Sequence, residues 1–220
     1  IDDKPAIISK KWILDFVKTI NSLENDMPLH ILAPSGIAGA NISEMRDMTK
    51  KEAKKFAELG NEMIKSLLYY KPLVIGFFDK YLLGGGLEFS LACDIVLSTV
   101  NCKIGFPEST LGIIPGFFGI DLVHYKNNPK LEELLYTGII IKAEETKNNP
   151  FFTNLISSWE EQMIRKANYI DQYQNVSNAS LTKIKDRNLE LKKYNSFEQS
   201  AKEFSEMFEQ REQIDRMEKF

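Results

Sequence analysis

Residues 71–119, KPLVIGFFDKYLLGGGLEFSLACDIVLSTVNCKIGFPESTLGIIPGFFG, decide the fold. The opening apolar run, 72–78, has no polar alternation and is rich in β-formers, which predicts a strand buried on both faces. Gly84, Gly85 and Gly86 follow, and then a helical pattern over 87–93. A strand, a glycine turn and a helix start bring bare backbone N–H groups close to a ligand, where the helix dipole favours developing negative charge. Glu88 falls in the first turn of that helix, and Glu108 follows a second predicted strand over 103–107. Each carboxylate has a plainer reading: Glu88 as a helix-dipole partner, Glu108 as a surface-loop residue. Set beside one glycine turn, they form the outline of an oxyanion hole flanked by two carboxylates.

The pattern is ordered over about fifty residues, like a family signature. It contains Lys71-Pro72, Gly84-Gly85-Gly86-Leu87-Glu88, Ala92-Cys93-Asp94, Gly105-Phe106-Pro107-Glu108 and Leu111-Gly112-Ile113-Ile114-Pro115-Gly116. Upstream, Ala38-Gly39-Ala40-Asn41-Ile42 adds a second piece. In this set the chain resembles the enoyl-CoA hydratase/isomerase (crotonase) superfamily. The resemblance implies an α/β fold: a crotonase-like spiral core of ββα turns over 1–149, and a C-terminal helical region over 150–220 that covers the site and builds trimers. It implies oxyanion donors at the N–H groups of Ala40 and Gly85, and acyl-CoA contacts from Gly39, Asn41, Ile42, Gly84 and Gly116. It gives Glu88 the task of positioning and deprotonating water, and Glu108 that of delivering the α-proton. The expected activity is hydration of an enoyl-CoA to a 3-hydroxyacyl-CoA in a homotrimer or dimer of trimers. No cofactor is implied, because coenzyme A is part of the substrate. Isomerases of this superfamily usually keep only the second glutamate, so two argue for hydration. The alternatives are another acyl-CoA enzyme of this fold (isomerase, dehydratase or hydrolase) and a catalytically silent binding or assembly protein.

The departures from the pattern are equally readable. Asn41 stands where an Asp is usual, and Ser43 where a Lys often faces the CoA phosphates. Phe118 puts a ring where a glycine normally starts a helix, an expected change in the acyl pocket or a subunit contact. Only Pro34-Ser35-Gly36-Ile37 link the strand predicted over 28–33 to Ala38, and 146–150 replaces a Gly-Leu-Val turn and strand. Both links are short enough to predict interruptions of the chain near 36–37 and within 146–150.

Elsewhere the periodicity is plain. Ser9 is an N-cap candidate for an amphipathic helix to about residue 24. Residues 28–33 read as a strand buried on both faces, and 49–70 as a helix whose lysines Lys50, Lys51, Lys54 and Lys55 form a solvated face. From about 150 the chain reads as helical. Ser196 with Gln199 predicts a capping box, and Phe197, Ala201, Phe204 and Phe208 form a stripe continued by Ile214 and Met217. Such a stripe must pack on the core or on a neighbour.

Composition bounds the rest. A chain of 220 residues with 43% apolar content suits one domain with a sizeable core, and a net charge of −3 gives no basic footprint for nucleic acid. Cys93 and Cys102 read as small buried hydrophobes rather than a disulfide or a nucleophile. His30 and His124 offer neither a Ser–His–Asp triad nor a histidine metal site. No apolar run approaches a membrane span, and IDDKPAIISKK has no signal-peptide hydrophobic stretch. The sequence assigns no compartment.

Overall fold

The computed structural model describes residues 4–24, 26–148, 150–192, 194, 196–209 and 212–219. The chain begins with strand β1 (Ala6–Ile8) and helix α1 (Lys10–Asn21), with Ser9 as its N-cap. Then come β2 (Leu29–Ala33), β3 (Ile37–Ala40), the short α2 (Ile42–Met45) and the long α3 (Lys50–Leu68). A second round is β4 (Val74–Phe78), β5 (Tyr81–Leu83) and α4 (Gly85–Leu91). A third is β6 (Ile95–Thr99), β7 (Lys103–Gly105) and a 3-10 helix at Pro107–Leu111. Helices α5 (Gly119–Lys126) and α6 (Pro129–Thr137), strand β8 (Ile140–Lys142) and a 3-10 helix at Ala143–Thr146 follow. Last come β9 (Asn154–Ile156), α7 (Trp159–Tyr173), α8 (Asn178–Lys192), α9 (Phe197–Glu206) and α10 (Glu212–Met217).

Each round places one strand in each of two sheets. One runs β1-β3-β5-β7-β8 and the other β2-β4-β6-β9. All neighbours pair in parallel except β7 and β8. This is the spiral that the glycine turn and the two buried runs anticipate. Its corners stack on one another: the Asp79 N–H donates to Ala33 O (3.1 Å), the Lys103 N–H donates to Lys80 O (2.8 Å), and Thr99 Oγ1 donates to Asp79 Oδ1 (2.5 Å). The main core lies between the first sheet, α1, α3, α4 and α9. A smaller cluster of Ile75, Phe77, Leu97 and Ile156 packs under Trp159, Met163, Tyr169 and Tyr173 of α7.

Several expectations are corrected. Helix α4 starts two residues early, inside the glycine triplet, and Glu108 sits in a 3-10 turn rather than a loop. Strand β2 pairs only with β4, so it is an edge strand with Leu32 exposed rather than buried on both faces. No interruption occurs near 36–37. The Gly36 N–H donates to Ala33 O (3.0 Å) and closes a tight corner, and Gly36 O accepts the Ala6 N–H (2.9 Å). The second interruption, expected within 146–150, falls on a stretch whose residue 149 lies outside the described residues. The region after 150 is not purely helical, because the chain first adds β9 to the second sheet beside β6. Ser196 makes no capping bond. Its hydroxyl pairs with Asp121, and Gln199 donates instead to Glu203 Oε1 (2.6 Å).

The C-terminal stripe is covered by the chain itself. Phe197, Ala201, Phe204, Phe208 and Met217 are all buried, with α9 laid along α3. Asn61 Nδ2 on α3 donates to Phe197 O (2.8 Å), and Lys50 at the start of α3 pairs with Glu209 (2.5 Å). Both cysteines are buried and free. Among the described residues, no helix is long and apolar enough to cross a membrane.

Candidate active site

A cavity of about 480 Å³ opens between the ends of β3 and β5, the Pro107–Leu111 turn and α9. It is lined by all nine residues singled out from the sequence: Gly39, Ala40, Asn41, Ile42, Gly84, Gly85, Glu88, Glu108 and Gly116. The glycine triplet explains how the backbone comes so close. Gly84 has φ +49° and ψ −123°, a conformation open to glycine alone. A Cβ there would sit 2.4 Å from Glu108 Oε1. A Cβ on Gly86 would sit 2.2 Å from Ile37 O, so the first turn of α4 lies directly on β3.

The backbone donors follow from this packing. The Leu87 and Glu88 N–H groups both donate to Gly84 O (2.8 and 3.0 Å), whereas those of Gly85 and Gly86 have no acceptor within their helix. The Asn41 N–H donates to Ile8 O (2.9 Å), toward β1. Since N–H direction alternates along a strand, the Ala40 N–H lies on the opposite side, where β5 has turned away into the triplet. Asn41 is occupied as the α2 N-cap, accepting from the Glu44 N–H at 3.3 Å.

Both glutamates are buried, Glu88 at 1% exposure and Glu108 at 7%, yet their surroundings differ. Glu88 Oε2 accepts the N–H groups of Phe117 (2.8 Å) and Gly119 (2.7 Å). Phe118, between them, is left-handed (φ +70°), which turns both amides onto one oxygen as an anion cradle. Burial, then the Glu108 charge, pushes the Glu88 carboxyl well above its ordinary range, and the cradle pulls it back. Glu108 has no such cradle. Burial pushes its pKa up to about 8, and its Oε2 is buried without a hydrogen-bond partner among the described residues. Both carboxyls are thus raised by burial, Glu88 further by the charge of Glu108, and the two titrate as one pair.

A family model for enoyl-CoA hydratase/isomerase matches residues 6–220. The chain belongs to the enoyl-CoA hydratase/isomerase family. Among relatives of this family member, a short-chain-enoyl-CoA hydratase of Clostridium acetobutylicum is 36% identical over 139 residues, 60% of this chain and 52% of that protein. A crotonyl-CoA hydratase of Syntrophomonas wolfei is 30% identical over 145 residues, 63% of this chain and 56% of that protein. The chain thus spans about half the length of the curated relatives it matches. An enoyl-CoA hydratase structure from Bacillus halodurans superposes with a TM-score of 0.83 at 17% identity, covering 97% of this chain and 91% of that one. The crotonase fold is therefore shared.

Several features of the site escape the sequence pattern. The amides of Phe117 and Gly119 could have been suspected from Pro115-Gly116 ahead of a helix start, where unpaired N–H groups gather. Phe117 and Phe204 line the cavity, and nothing in their spacing says so. Phe118, expected to alter the acyl pocket or a subunit contact, is not among the cavity-lining residues. Its ring stacks on Phe197 (3.8 Å between centroids) and meets Tyr194 edge-on (5.7 Å). His30 packs edge-on against Phe77, and neither histidine reaches the cavity.

Proposed function

We propose that the protein adds water across the α,β-double bond of an enoyl-CoA thioester. The observation that carries this reading is the pair of buried glutamates on one cavity, one cradled by amides and the other not. The thioester oxygen accepts from the Ala40 and Gly85 N–H groups, each such donor contributing about 3 kcal/mol to the enolate-like transition state. Glu88, ionised, takes a proton from water as its oxygen bonds to the β-carbon. The π electrons move onto the thioester oxygen, and Glu108 gives its proton to the α-carbon. The pair holds one proton before and after the step, and it resets when that proton returns from Glu88 to Glu108. Gly39, Asn41, Ile42, Gly84 and Gly116 shape the acyl-CoA path, and no cofactor is required. An isomerase reading leaves one of the two buried carboxylates without a task.

Loss of the conjugated ultraviolet band of crotonyl-CoA on mixing with the protein tests the reading, and an unchanged band defeats it. The pH profile adds a second check. Activity requires Glu88 ionised and Glu108 protonated, so kcat/KM should fall as pH rises through about 8, where Glu108 loses its proton. It should fall again toward acid as Glu88 is protonated. A profile flat from neutrality to well above 8 would remove Glu108 from the acid role.

We also propose a homotrimer or dimer of trimers. The C-terminal stripe does not argue for one, since it is buried within the chain with α9 laid along α3. Support passes to Tyr136 (83% exposed), Ile139 and Ile140, which leave an apolar surface at the free edge of β8. Light scattering at micromolar concentration should return at least three chain masses, and a monomer there would end this proposal.

A further inference from the structure

We infer that Phe204 on α9 is the residue that limits acyl-chain length, which makes the substrate class short-chain enoyl thioesters. This rests on the hydratase reading above. The cavity has a wet end and a dry end. Ile7 and Ser43 are exposed at the first, whereas Met45, Ile113, Phe117 and Phe204 are buried at the second. The charged nucleotide half of coenzyme A can leave only by the wet end, so the acyl tail runs toward the dry one. There the Phe204 ring packs on Gly116, so close that a Cβ on Gly116 would be 2.5 Å from it. Gly116 immediately precedes Phe117, whose N–H holds Glu88. The ring therefore closes the cavity beside the carbon that receives water, just where a longer tail would continue.

The ring is also backed so that it cannot easily swing aside. Phe208 lies behind it with centroids 5.2 Å apart, and Ala201, one turn earlier, is fully buried. The helix itself is held by the Phe118–Phe197 stack and by Asn61. A volume near 480 Å³ is toward the lower end for ligand pockets, and here it must also take the thioester and the adjoining arm, leaving room for only a short acyl chain. Beyond that, a methylene that does not fit costs about 10- to 200-fold.

The test compares kcat/KM for crotonyl-, hexenoyl-, octenoyl- and decenoyl-CoA, alongside calorimetric affinities for butyryl-, hexanoyl- and decanoyl-CoA, which need no turnover. The native protein should drop at least tenfold between hexenoyl and decenoyl in the first series and between hexanoyl and decanoyl in the second. Phe204→Ala, with Phe204→Leu as a milder variant should the first fail to fold, should raise the decenoyl-to-crotonyl ratio at least tenfold. Phe77→Ala, in the smaller cluster under α7 and away from the cavity, should lower the melting temperature and leave both ratios alone. Equal handling of long and short chains by the native protein, or unchanged ratios in both Phe204 variants, would overturn the inference. If no thioester is hydrated yet the affinity series still steps at Phe204, the hydratase reading fails and the length limit stands.

Discussion

Replacing Glu88 or Glu108 by Gln is expected to lower turnover of crotonyl-CoA by two or more orders of magnitude, the usual loss when a positioned acid or base is removed. The double variant should be little worse than either single one, because the two move one proton set between them. The folded site should survive. A glutamine at 88 keeps an oxygen for the Phe117 and Gly119 N–H groups, and one at 108 stays neutral in a dry place at every pH. Stability supplies an independent reading of Glu108. Its pKa is raised on folding to about 8, so its contribution is intact below the ordinary glutamate range and is lost as pH climbs to about 8. Over that window the loss is on the order of a few kcal/mol. Glu108→Gln should therefore flatten the fall in melting temperature between pH 5 and 8. Turnover at the native rate in either single variant would dismiss the assigned roles.

Gly84→Ala is expected to be nearly as damaging although it removes no reacting group. The new methyl must occupy a point 2.4 Å from Glu108 Oε1 on a backbone with φ +49°. Forcing an L-residue into that conformation costs about 1–3 kcal/mol. Moving a catalytic group by about 1 Å costs roughly 100-fold in rate. Steady-state kinetics with a thermal melt separates the two effects: the melt should fall by a few degrees while kcat falls by about two orders of magnitude. A variant with native kcat would show that Glu108 is not held where its acid role needs it.

The glutamate end of the cavity is legible in the sequence because backbone geometry writes itself into residue type. Only glycine fits at Gly84 and at Gly86, and a glutamate one turn into a helix has few places to point. The walls are not legible in the same way. Phe204 and Phe208 carry the same helical spacing, yet one faces the cavity and the other sits behind it. A stripe tells which side of a helix is dry but not what it is dry against. Phe118 shows the same limit from the other side. Its left-handed backbone aims its neighbours' amides at Glu88 while its own ring turns toward Phe197, a division of labour set by α9 and invisible from position 118 alone. Strand β9 was missed because three residues, Asn154–Ile156, are too few to show a period.

The distance along the chain between the glutamates and Phe204 has a consequence for biogenesis. Residues 39–119 supply the carboxylates and their amides, and they leave the ribosome well before α9 does. Domains begin to organise from the N-terminal side during synthesis, so the nascent spiral holds Phe56 and Phe117 without the rings of Phe197 and Phe204 that later seal them. That interval is when an apolar mouth is open to chaperones and to other nascent chains. Docking of α9 ends it, so the event that releases the polypeptide from such supervision is the same one that sets the size of its pocket.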